Sequence, residues 1–580
     1  MTSRRLLFIF LGVLTLWRLF AIGHFDLSPD EAYYKMWSDR MDISYYSKGP
    51  GVATAIWIGT QIFGDTALGI RLLSPLLALG TSLLLFFFGR RLYGESVAIW
   101  AVLTLNCIPI FNVGSLVMTI DPLSIFFWMA ALYTFWLALE HSPGLNRWWP
   151  LTGALIGLGF LCKWTNAMQL LSIGLLLFIT QKYRRELLRP GFWVMLAVFA
   201  LFTLPPIIWN AQHDWITVSH LSARGGFQKA TQLSFSEFGT FLGAHFGVYS
   251  PLIFAGMLVA VWWGFDRARA HFKPRFLLIF ALPLLVLYFA MAFREAGEAN
   301  WTAPAALSLG LLAAALWHEM AQEKAWARRL SFSALALGLV MSLVVLDTDN
   351  LRRLGIRLPY DYDPSARLRG WETSAELVQE FRQDFEKSLG EPVFLIANKY
   401  QTAAILSFHM NEPRVEGRTH PPVYIPESQA IENQFSFWRR YDELADFREV
   451  AKDVLAAPLP EGVEAGLKQE LETALAAYPE SEVADTPEAK DALRALVRAM
   501  RAIRPDLPLD EAFVEQQGVS LFAGRTALYV TDRAENKPPS SIKKGFDRAE
   551  MIACIDVKRR GLPLRQLRIF ACYGYKSAGF

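Results

Sequence analysis

The chain has little charge and few cysteines for its length of 580 residues: charged side chains make up 19 %, and there are four cysteines. Four cysteines are too few for a disulfide scaffold in a chain of this size. Cys107 and Cys162 lie in apolar runs, where packing roles are expected, whereas Cys554 and Cys572 lie on or beside strand-like segments. A disulfide between Cys554 and Cys572 and two free buried thiols are both compatible with the sequence.

Motifs for nucleotides and metals are missing as well. The sequence contains no Walker A motif, no Rossmann glycine pattern, no Cys-x-x-Cys pair and no paired-histidine motif. P-loop, dinucleotide-binding and zinc sites of the common kinds are therefore excluded. No nucleic-acid partner is expected.

Long apolar runs dominate the first 346 residues. Hydrophobic residues make up 53 % of the chain and the mean hydropathy is +0.25, which is too apolar for a soluble protein of this size. A membrane span needs about 20 mostly apolar residues. About eleven segments meet this requirement: 5–22, 68–88, 95–113, 122–140, 148–163, 165–180, 191–209, 241–264, 276–293, 299–318 and 330–346. The run 51–63 is too short and is predicted to lie at the interface or to enter the membrane partway.

The positions of the basic clusters predict the membrane topology of the chain. They occur at 4–5, 90–91, 147, 182–189, 267–275 and 324–329. With eleven spans all of them fall on one side, which the positive-inside rule makes cytoplasmic. The sequence thus predicts a multi-pass protein of the bacterial inner membrane with a cytoplasmic N-terminus. A retained first span is favoured over a signal peptide, because no small-residue cleavage pattern follows it.

The composition changes after residue 346. Residues 347–580 have the pattern of an α/β soluble domain, which the topology places in the periplasm. Strands are predicted at 392–397, 519–522, 527–530, 552–557 and 567–571, with helices at 373–389 and 401–410. The acidic stretch 441–517 predicts a helical insertion. The expected organisation is a membrane domain at 1–346 and a soluble domain at 347–580.

Two adjacent carboxylates follow the first apolar run, in Ser28-Pro29-Asp30-Glu31. Ser28 and Glu31 fit a capping box around a proline at the first helical position. Capping and a functional role are equally compatible with Glu31, whereas the box does not require Asp30. Carboxylates at the end of a membrane span are energetically costly unless they are hydrated, paired with a cation or part of a functional site. Asp30 is therefore favoured as a functional residue.

Polar residues from the other outer loops gather on the same side of the membrane. Lys48 fits either a lipid-linked phosphate or a side chain that reaches toward anionic headgroups. Asp121 follows a capping threonine, and Lys163 on the outer side predicts a bound anion or a carboxylate partner. His213 next to an aspartate is more often an ordinary hydrogen-bonded pair, and Glu298 precedes a span that it could cap together with Asn300.

Aromatic residues surround the carboxylates. Tyr33, Met36, Trp37 and Arg40 have the spacing of one helical stripe, which predicts an amphipathic helix anchored at the interface.

Several motifs in a fixed order resemble one family. Asp30-Glu31-Ala32-Tyr33-Tyr34 and Tyr46-Ser47-Lys48-Gly49-Pro50 are followed by Met118-Thr119-Ile120-Asp121-Pro122, Leu161-Cys162-Lys163-Trp164-Thr165, the segment 208–215 and the segment 298–304. The series resembles bacterial GT-C glycosyltransferases of the protein O-mannosyltransferase-like and aminoarabinose-transferase-like group. Aminoarabinose transferases more often have two prolines after the lysine, where this chain has Gly49-Pro50, so the sugar and the acceptor are left open.

The resemblance implies a GT-C-like fold and inverting transfer of a sugar from a polyprenyl phosphate to a lipid, glycan or protein. Asp30 would be the general base, and Lys48 and Lys163 would neutralise the departing phosphate. Supporting or acceptor-orienting roles fall to the acids and the histidine in the remaining loops: Glu31, Asp121, His213 and Glu298. The residues Tyr33, Tyr34 and Tyr46 would contact the lipid or the sugar. No cofactor is required; a divalent cation fits but is not demanded by any ligand spacing.

Three functions are alternatives to sugar transfer. A secondary transporter usually places its polar residues at the bilayer midplane, not at one surface. A polysaccharide ligase or polymerase would need a groove for a glycan, which the sequence does not reveal. A partner-binding outer domain on a bare anchor would need only one span.

Overall fold

The computed structural model describes the two large stretches 3–224 and 233–349 and most of 368–576. Its described residues are 3–224, 233–349, 351, 355–356, 363, 366, 368–410, 423–438, 440–442, 447–457, 459, 464, 466–478, 487–504, 520, 522–559 and 561–576. By contacts the chain divides into two compact units. The first unit consists of Met1–Phe25 and Trp37–Ser365, and the second consists of Asp26–Met36 and Ala366–Phe580. The predicted domain boundary after residue 346 stays a prediction.

Helices make up nearly all of the regular structure up to residue 346. They are α1 (Ser3–Ala21), α2 (Pro29–Ser38), α3 (Gly51–Phe63), α4 (Ala67–Arg71), α5 (Leu73–Tyr93), α6 (Glu95–Cys107), α7 (Pro109–Gly114), α8 (Ile120–Glu140), α9 (Trp148–Cys162), α10 (Met168–Ile179), α11 (Pro190–Gln212), α12 (Ile216–Arg224), α13 (Phe235–Tyr249), α14 (Pro251–Ala268), α15 (Phe272–Ala292), α16 (Ala303–Glu323) and α17 (Ala325–Leu346). The core of the first unit surrounds α8 and α16, whose apolar residues are mostly buried.

Six helical segments among the described residues are long and apolar enough to cross a membrane, or up to seven if one bent pair counts as a span. The helices α3, α6, α9 and α10 are apolar but shorter. The α1 helix carries Arg4, Arg5 and Arg18. The predicted multi-helix membrane fold is confirmed, while the number eleven and the interfacial placement of 51–63 stay predictions.

The predicted span 241–264 is broken in the structure. Helices α13 and α14 meet at an angle of 111° on either side of Ser250, which has a φ of 69°. Pro251 follows Ser250, and a residue before proline is kept out of the right-handed helical region. The span was predicted as continuous because hydropathy alone does not register a single Ser-Pro step.

The second unit has the predicted α/β character. Its strands are β1 (Phe394–Ala397), β2 (Val423–Tyr424), β3 (Ala527–Thr531), β4 (Phe546–Arg559) and β5 (Leu562–Tyr575), and its helices are Trp371–Leu389, Tyr400–His409, Phe447–Ala456, Gly466–Ala477, Pro487–Ile503 and Ser540–Gly545. The sheet order is β2-β1-β3-β5-β4, with β1 parallel to both neighbours and the other pairs antiparallel. Of the predicted strand 519–522, residues 519 and 521 lie outside the described part.

Apolar strand residues explain why this sheet forms a core. Every residue of β1 and β3 is buried, and their register pairs Leu395 with Leu528 and Ile396 with Tyr529. Continuous apolar runs of this kind are typical of strands covered on both faces. Both Cys554 and Cys572 are free thiols, and burial raises the pKa of Cys572 to about 12.

Candidate active site

A charged network joins three loops of the first unit. Lys163 Nζ donates to Asp121 Oδ1 at 2.7 Å, and Asn300 Nδ2 donates to Asp121 Oδ2 at 2.6 Å. The side chains of Lys163 and Asp121 are 8 % and 18 % exposed, so the pair is largely shielded from water. Of the two predicted partners for Lys163, an anion or a carboxylate, the structure provides the carboxylate.

The helix ends fix this network in place. Thr119 caps α8 by accepting a hydrogen bond from the Asp121 backbone N–H at 3.3 Å, which sets Asp121 in the first turn. Lys163 lies where α9 ends, in extended backbone before a short 3₁₀ turn. Within that turn Asn166 accepts from the Ser124 hydroxyl at 2.5 Å and donates to the Ser124 carbonyl at 3.1 Å. The turn carrying Lys163 is thus tied to α8, which carries its partner.

Asn300 has a different role from the predicted one. The sequence suggested that it caps the following helix, but its side chain binds Asp121. It lies in the 3₁₀ turn Ala299–Thr302, which precedes α16 and has no side-chain cap at Glu298. The exposed carboxylate of Glu298 is therefore not the cap that the sequence predicted. The hydrogen bond from Asn300 to Asp121 cannot be recognised from the sequence, because nothing in the sequence shows that residues 121 and 300 are neighbours in the fold.

The loop that carries Lys48 packs directly on the segment that carries Lys163. Trp164 Nε1 donates to the Ser47 carbonyl at 3.2 Å. The Lys48 carbonyl accepts hydrogen bonds from the Tyr45 N–H at 3.0 Å and the Ser44 hydroxyl at 3.3 Å, so its backbone is held in a tight turn. The backbone segments that carry the two predicted phosphate-binding lysines therefore lie against each other, whereas a shared role of these lysines at a phosphate stays a prediction.

Gly49 makes this approach close. A Cβ at position 49 would lie 2.3 Å from the backbone oxygen of Leu161, and a Cβ at Gly51 would lie 2.4 Å from Cys162 Sγ. Gly49 stands where aminoarabinose transferases more often have a proline. In this chain it has a packing role, because it lets the loop approach the end of α9 closely.

Gly49→Ala is expected to lower the free energy of unfolding by about 1–3 kcal/mol, because backbone must move to admit the methyl group. Thermal unfolding of the purified protein in detergent measures this. Gly23→Ala is the matched control, since no atom lies within 4 Å of a Cβ there. Equal melting temperatures for the two variants would contradict the close approach of residues 49 and 161.

Two contacts that join the segment 42–46 to α11 and α12 were not predicted from the sequence. The Tyr46 hydroxyl lies 3.1 Å from His220 Nδ1, and the two rings are 4.7 Å apart. Trp209 Nε1 donates to Asp42 at 2.8 Å. Neither His220 nor Asp42 belongs to a motif, and only the fold brings them to these aromatics.

His213 contacts Trp209, four residues earlier in the chain. Its Nδ1 donates to the Trp209 carbonyl at 2.7 Å, and its ring stacks on the Trp209 indole at a centroid distance of 3.9 Å. The neighbouring Asp214 has a φ of 50°, and the turn is closed by hydrogen bonds to the Asn210 carbonyl. The acceptor-orienting role of His213 stays a prediction.

A buried polar cluster behind Asn300 was not predicted at all. His245 Nε2 lies 2.8 Å from the Thr302 hydroxyl, and the Tyr249 hydroxyl lies 3.1 Å from the same oxygen. Thr302 and Asn300 share one 3₁₀ turn, so this cluster supports the turn that holds Asn300. No motif in the sequence marks His245, which lies inside an apolar helix.

Asp30 lies in the second unit, in the first turn of α2. The predicted capping box is present: the Ser28 N–H donates to Glu31 at 2.9 Å, and the Glu31 N–H donates to the Ser28 hydroxyl at 3.3 Å. Glu31 is buried, whereas Asp30 is exposed and accepts a hydrogen bond from Gln401 Nε2 at 3.3 Å. The box therefore supports Glu31 as a capping residue and leaves the Asp30 carboxylate accessible.

Tyr33 and Trp37 do not form the predicted interfacial anchor. Tyr33 is 5 % exposed, its hydroxyl accepts from the Gln434 N–H at 2.7 Å, and its ring lies 4.5 Å from that of Tyr400. Trp37 is fully buried and stacks on Tyr45. The amphipathic stripe is a packing surface, because partners distant in sequence cover it. Tyr34 is half-buried beside Tyr33, and the predicted lipid or sugar contacts of these tyrosines stay predictions.

A second ion pair lies at the end of β3 in the second unit. Lys399 Nζ donates to Asp532 at 2.9 Å, and Asn398 Nδ2 donates to its other oxygen at 3.0 Å. Burial alone would raise the pKa of Asp532, but the bonds from Lys399 and Asn398 outweigh it and hold the pKa below its usual value.

This pair predicts a pH dependence of stability. A carboxylate with a lowered pKa stabilises the fold fully above about pH 4, its unfolded pKa, and loses this contribution as the pH falls through the folded pKa. Asp532→Asn should therefore lower the melting temperature most at neutral pH, and the difference from the parent should shrink at pH 3. The exposed Asp384, paired with Lys387, provides the control Asp384→Asn, for which little change is expected. A constant difference across this pH range would contradict the pairing.

The described residues contain no group of three or more His, Cys, Asp or Glu side chains that could hold a metal ion. Both oxygens of the Asp121 carboxylate accept hydrogen bonds, one from Lys163 and one from Asn300. The positive charge of Lys163 next to this carboxylate suits the binding of an anion.

The chain is similar to several named glycosyltransferases. A profile of the dolichyl-phosphate-mannose-protein mannosyltransferase family matches residues 47–209. The lipid A galacturonosyltransferase RgtD of Rhizobium johnstonii is 30 % identical over 320 residues, which cover 54 % of this chain and 65 % of that protein. An undecaprenyl phosphate-alpha-4-amino-4-deoxy-L-arabinose arabinosyl transferase of Erwinia tasmaniensis is 26 % identical over 253 residues, covering 40 % and 43 % respectively. The chain thus spans less than two-thirds of the length of these relatives.

One solved structure covers nearly the whole chain. ArnT from Cupriavidus metallidurans bound to undecaprenyl phosphate matches with a TM-score of 0.52 and 15 % identity over 98 % of both chains. This likeness shows the fold. The predicted resemblance to the GT-C, aminoarabinose-transferase-like group is confirmed. The apolar helices and the relatives support a multi-pass inner-membrane protein, whereas the orientation of its termini stays a prediction.

Proposed function

We propose that this GT-C-fold protein is a membrane glycosyltransferase that moves a sugar from a polyprenyl phosphate to a lipid acceptor, on the outer face of the inner membrane and with inversion at the sugar carbon. Both curated relatives are named as transferases of a sugar, one to lipid A and one from undecaprenyl phosphate. The structural neighbour was solved with undecaprenyl phosphate. A lipid-linked donor also agrees with the missing nucleotide motifs.

The observation that supports the proposal is the packing of the Lys48 loop against the segment that carries Lys163 in the first unit. Residues on both sides of Lys48 contact the segment 161–164, through the Trp164–Ser47 hydrogen bond and the close approach of Gly49 to Leu161. Lys163 gives one of its three N–H donors to Asp121 and keeps the others for a ligand. Two lysines in a partly shielded place suit a phosphate, whose negative charge grows as the sugar leaves.

Asp121 fits a supporting role in this scheme. Its two oxygens are used by Lys163 and Asn300, so it holds the lysine in one position instead of touching the sugar. A positioned cation needs no rearrangement when charge develops on the phosphate oxygen, which is the condition for effective electrostatic catalysis.

The proposed reaction is a single displacement at the anomeric carbon of the sugar. The acceptor hydroxyl oxygen attacks the anomeric carbon, and the bond from that carbon to the phosphate oxygen breaks with its electron pair staying on the polyprenyl phosphate. Asp30 accepts the hydroxyl proton, and Lys48 and Lys163 stabilise the released phosphate. Attack opposite the leaving group inverts the configuration at the carbon.

The proposal is tested with purified protein in detergent, lipid A as acceptor and two donors: undecaprenyl phosphate carrying aminoarabinose, and polyprenyl phosphate carrying galacturonic acid. Mass spectrometry of lipid A measures addition of either sugar, and nuclear magnetic resonance gives the configuration of the product. One sugar-modified product of inverted configuration is expected. Solute uptake by proteoliposomes that depends on Asp30, without sugar transfer from either donor, would contradict it and favour a transporter.

A further inference from the structure

An open pocket of about 810 Å³ lies at the end of the helix bundle opposite Asp121. Its walls come from the C-terminal ends of α5, α8, α14 and α16, the N-terminal end of α15 and the segment after α10. Asp121 is in the first turn of α8, while Glu140 of the pocket is its last residue. Twenty residues of helix correspond to about 30 Å, so the pocket is remote from the lysines of the candidate active site.

Cations over aromatic rings line this pocket. The Arg267 guanidinium lies 4.3 Å from the centre of the Trp263 ring, Lys182 Nζ lies 5.0 Å from that of Tyr183, and Lys273 Nζ lies 5.6 Å from that of Tyr93. Rings of this type are favoured at membrane interfaces, where an apolar wall meets a polar rim. The pocket thus joins positive charge to an apolar lining.

The charges of the pocket do not cancel among themselves. Its two carboxylates are each engaged by an arginine: Glu319 accepts two hydrogen bonds from Arg267, at 3.0 and 3.2 Å, and Glu140 accepts from Arg91 at 2.6 Å. Within the described part of the chain Lys182 and Lys273 have no carboxylate within 4.0 Å. Lys273 Nζ also donates to the Leu92 carbonyl, but this acceptor is uncharged, so the positive charges of both lysines are left for a ligand.

The size of the pocket distinguishes between anions. Sites for organic ligands usually have volumes of about 300–1,000 Å³, whereas a free phosphate would leave most of this pocket empty. A phosphodiester headgroup with its glycerol and the first part of its acyl chains combines one anionic group with apolar surface. Basic pockets between membrane helices are sites for such headgroups.

We propose that this pocket binds the headgroup of an anionic phospholipid, with its phosphate between Lys182 and Lys273 and its glycerol and upper chains against the aromatic walls. The site is separate from the sugar-transfer chemistry, because none of its residues belongs to the Asp121–Lys163 network. Bound lipid would join α8, α14, α15 and α16 at one end of the bundle and should stabilise the fold.

Phosphatidylglycerol, phosphatidylcholine and inorganic phosphate are titrated separately into the full-length protein in detergent, and binding is followed by native mass spectrometry and by the melting temperature. The parent protein should bind phosphatidylglycerol selectively and melt at a higher temperature in its presence. Each lysine near an anionic lipid contributes about a factor of five in affinity, so Lys182→Gln/Lys273→Gln should bind about 30-fold more weakly. Lys182→Arg/Lys273→Arg should keep the binding, since it keeps the charge.

Lys324→Gln is the matched control. Lys324 is an exposed lysine at the start of α17 that does not line the pocket, so its loss should leave the affinity unchanged. Equal binding of phosphatidylcholine, or undiminished binding by the double glutamine variant, would overturn the proposal. Saturation by inorganic phosphate at the same concentration would also overturn it and assign the site to a soluble anion. Monodisperse elution of both double variants shows that they fold.

Discussion

Asp30→Asn is expected to lower the turnover number for sugar transfer by about 10²–10⁴-fold, the usual contribution of a general base. The amide has nearly the same shape and can still accept the hydrogen bond from Gln401, but it cannot take a proton from the acceptor hydroxyl. The Michaelis constants should change little, because the carboxylate is proposed to act on the reacting hydroxyl. Rates measured with saturating donor and acceptor test this expectation.

Glu31→Gln separates catalysis from folding at the same helix start. Glu31 is buried and accepts from the Ser28 N–H, so its replacement should lower the melting temperature while the folded fraction keeps most of its turnover. Asp30→Asn should give the opposite pattern, with a parental melting temperature and lost turnover. Full transfer by Asp30→Asn would show that another group takes the proton and would remove Asp30 from the mechanism.

Lys163→Met is expected to lower both stability and transfer. It leaves the Asp121 carboxylate, whose side chain is 18 % exposed, with Asn300 as its remaining side-chain hydrogen-bond partner among the described residues. Breaking a buried ion pair from one side costs about 3–5 kcal/mol, and the lower end applies here because Asn300 remains. Thermal unfolding in detergent measures the loss of stability, and product formation measures the loss of phosphate neutralisation.

The double variant Asp121→Asn/Lys163→Met distinguishes the two effects. Removing both charges should recover most of the stability that Lys163→Met loses, because no unpaired charge is left. Transfer should not recover, because the lysine that is proposed to neutralise the leaving phosphate is still missing. Recovery of transfer along with stability would show that Lys163 acts only in folding. Lys163→Arg, which keeps the pair, should retain stability and part of the activity.

Local signals were sufficient for some parts of the site. The capping box of Ser28 and Glu31 was predicted from four consecutive residues and is present. The carboxylate partner of Lys163 was one of two predicted options, because a lysine at that membrane surface is costly without a counter-charge. The first prediction depends on residues within one helical turn, and the second depends on the charge of a single lysine.

Features that depend on distant contacts were missed. Asn300 was interpreted as a cap, but it binds a carboxylate 179 residues earlier in the chain. The aromatic stripe of α2 has the period of an interfacial helix, and periodicity does not distinguish lipid from protein as its covering partner. The sheet strands were predicted where apolar runs are long, whereas the two-residue β2 has too few residues to give a pattern.

The assignment of residues 26–36 to the same contact unit as 366–580 has a consequence for chimeric enzymes. Tyr33 packs against Tyr400 and is hydrogen-bonded to Gln434, and Asp30 accepts from Gln401. The proposed base therefore lies in the segment 26–36, but its supporting contacts come from residues 400–434. A hybrid that exchanges residues 366–580 between two relatives must transplant the segment 26–36 with them, or the aromatic and amide contacts of this segment will be mismatched.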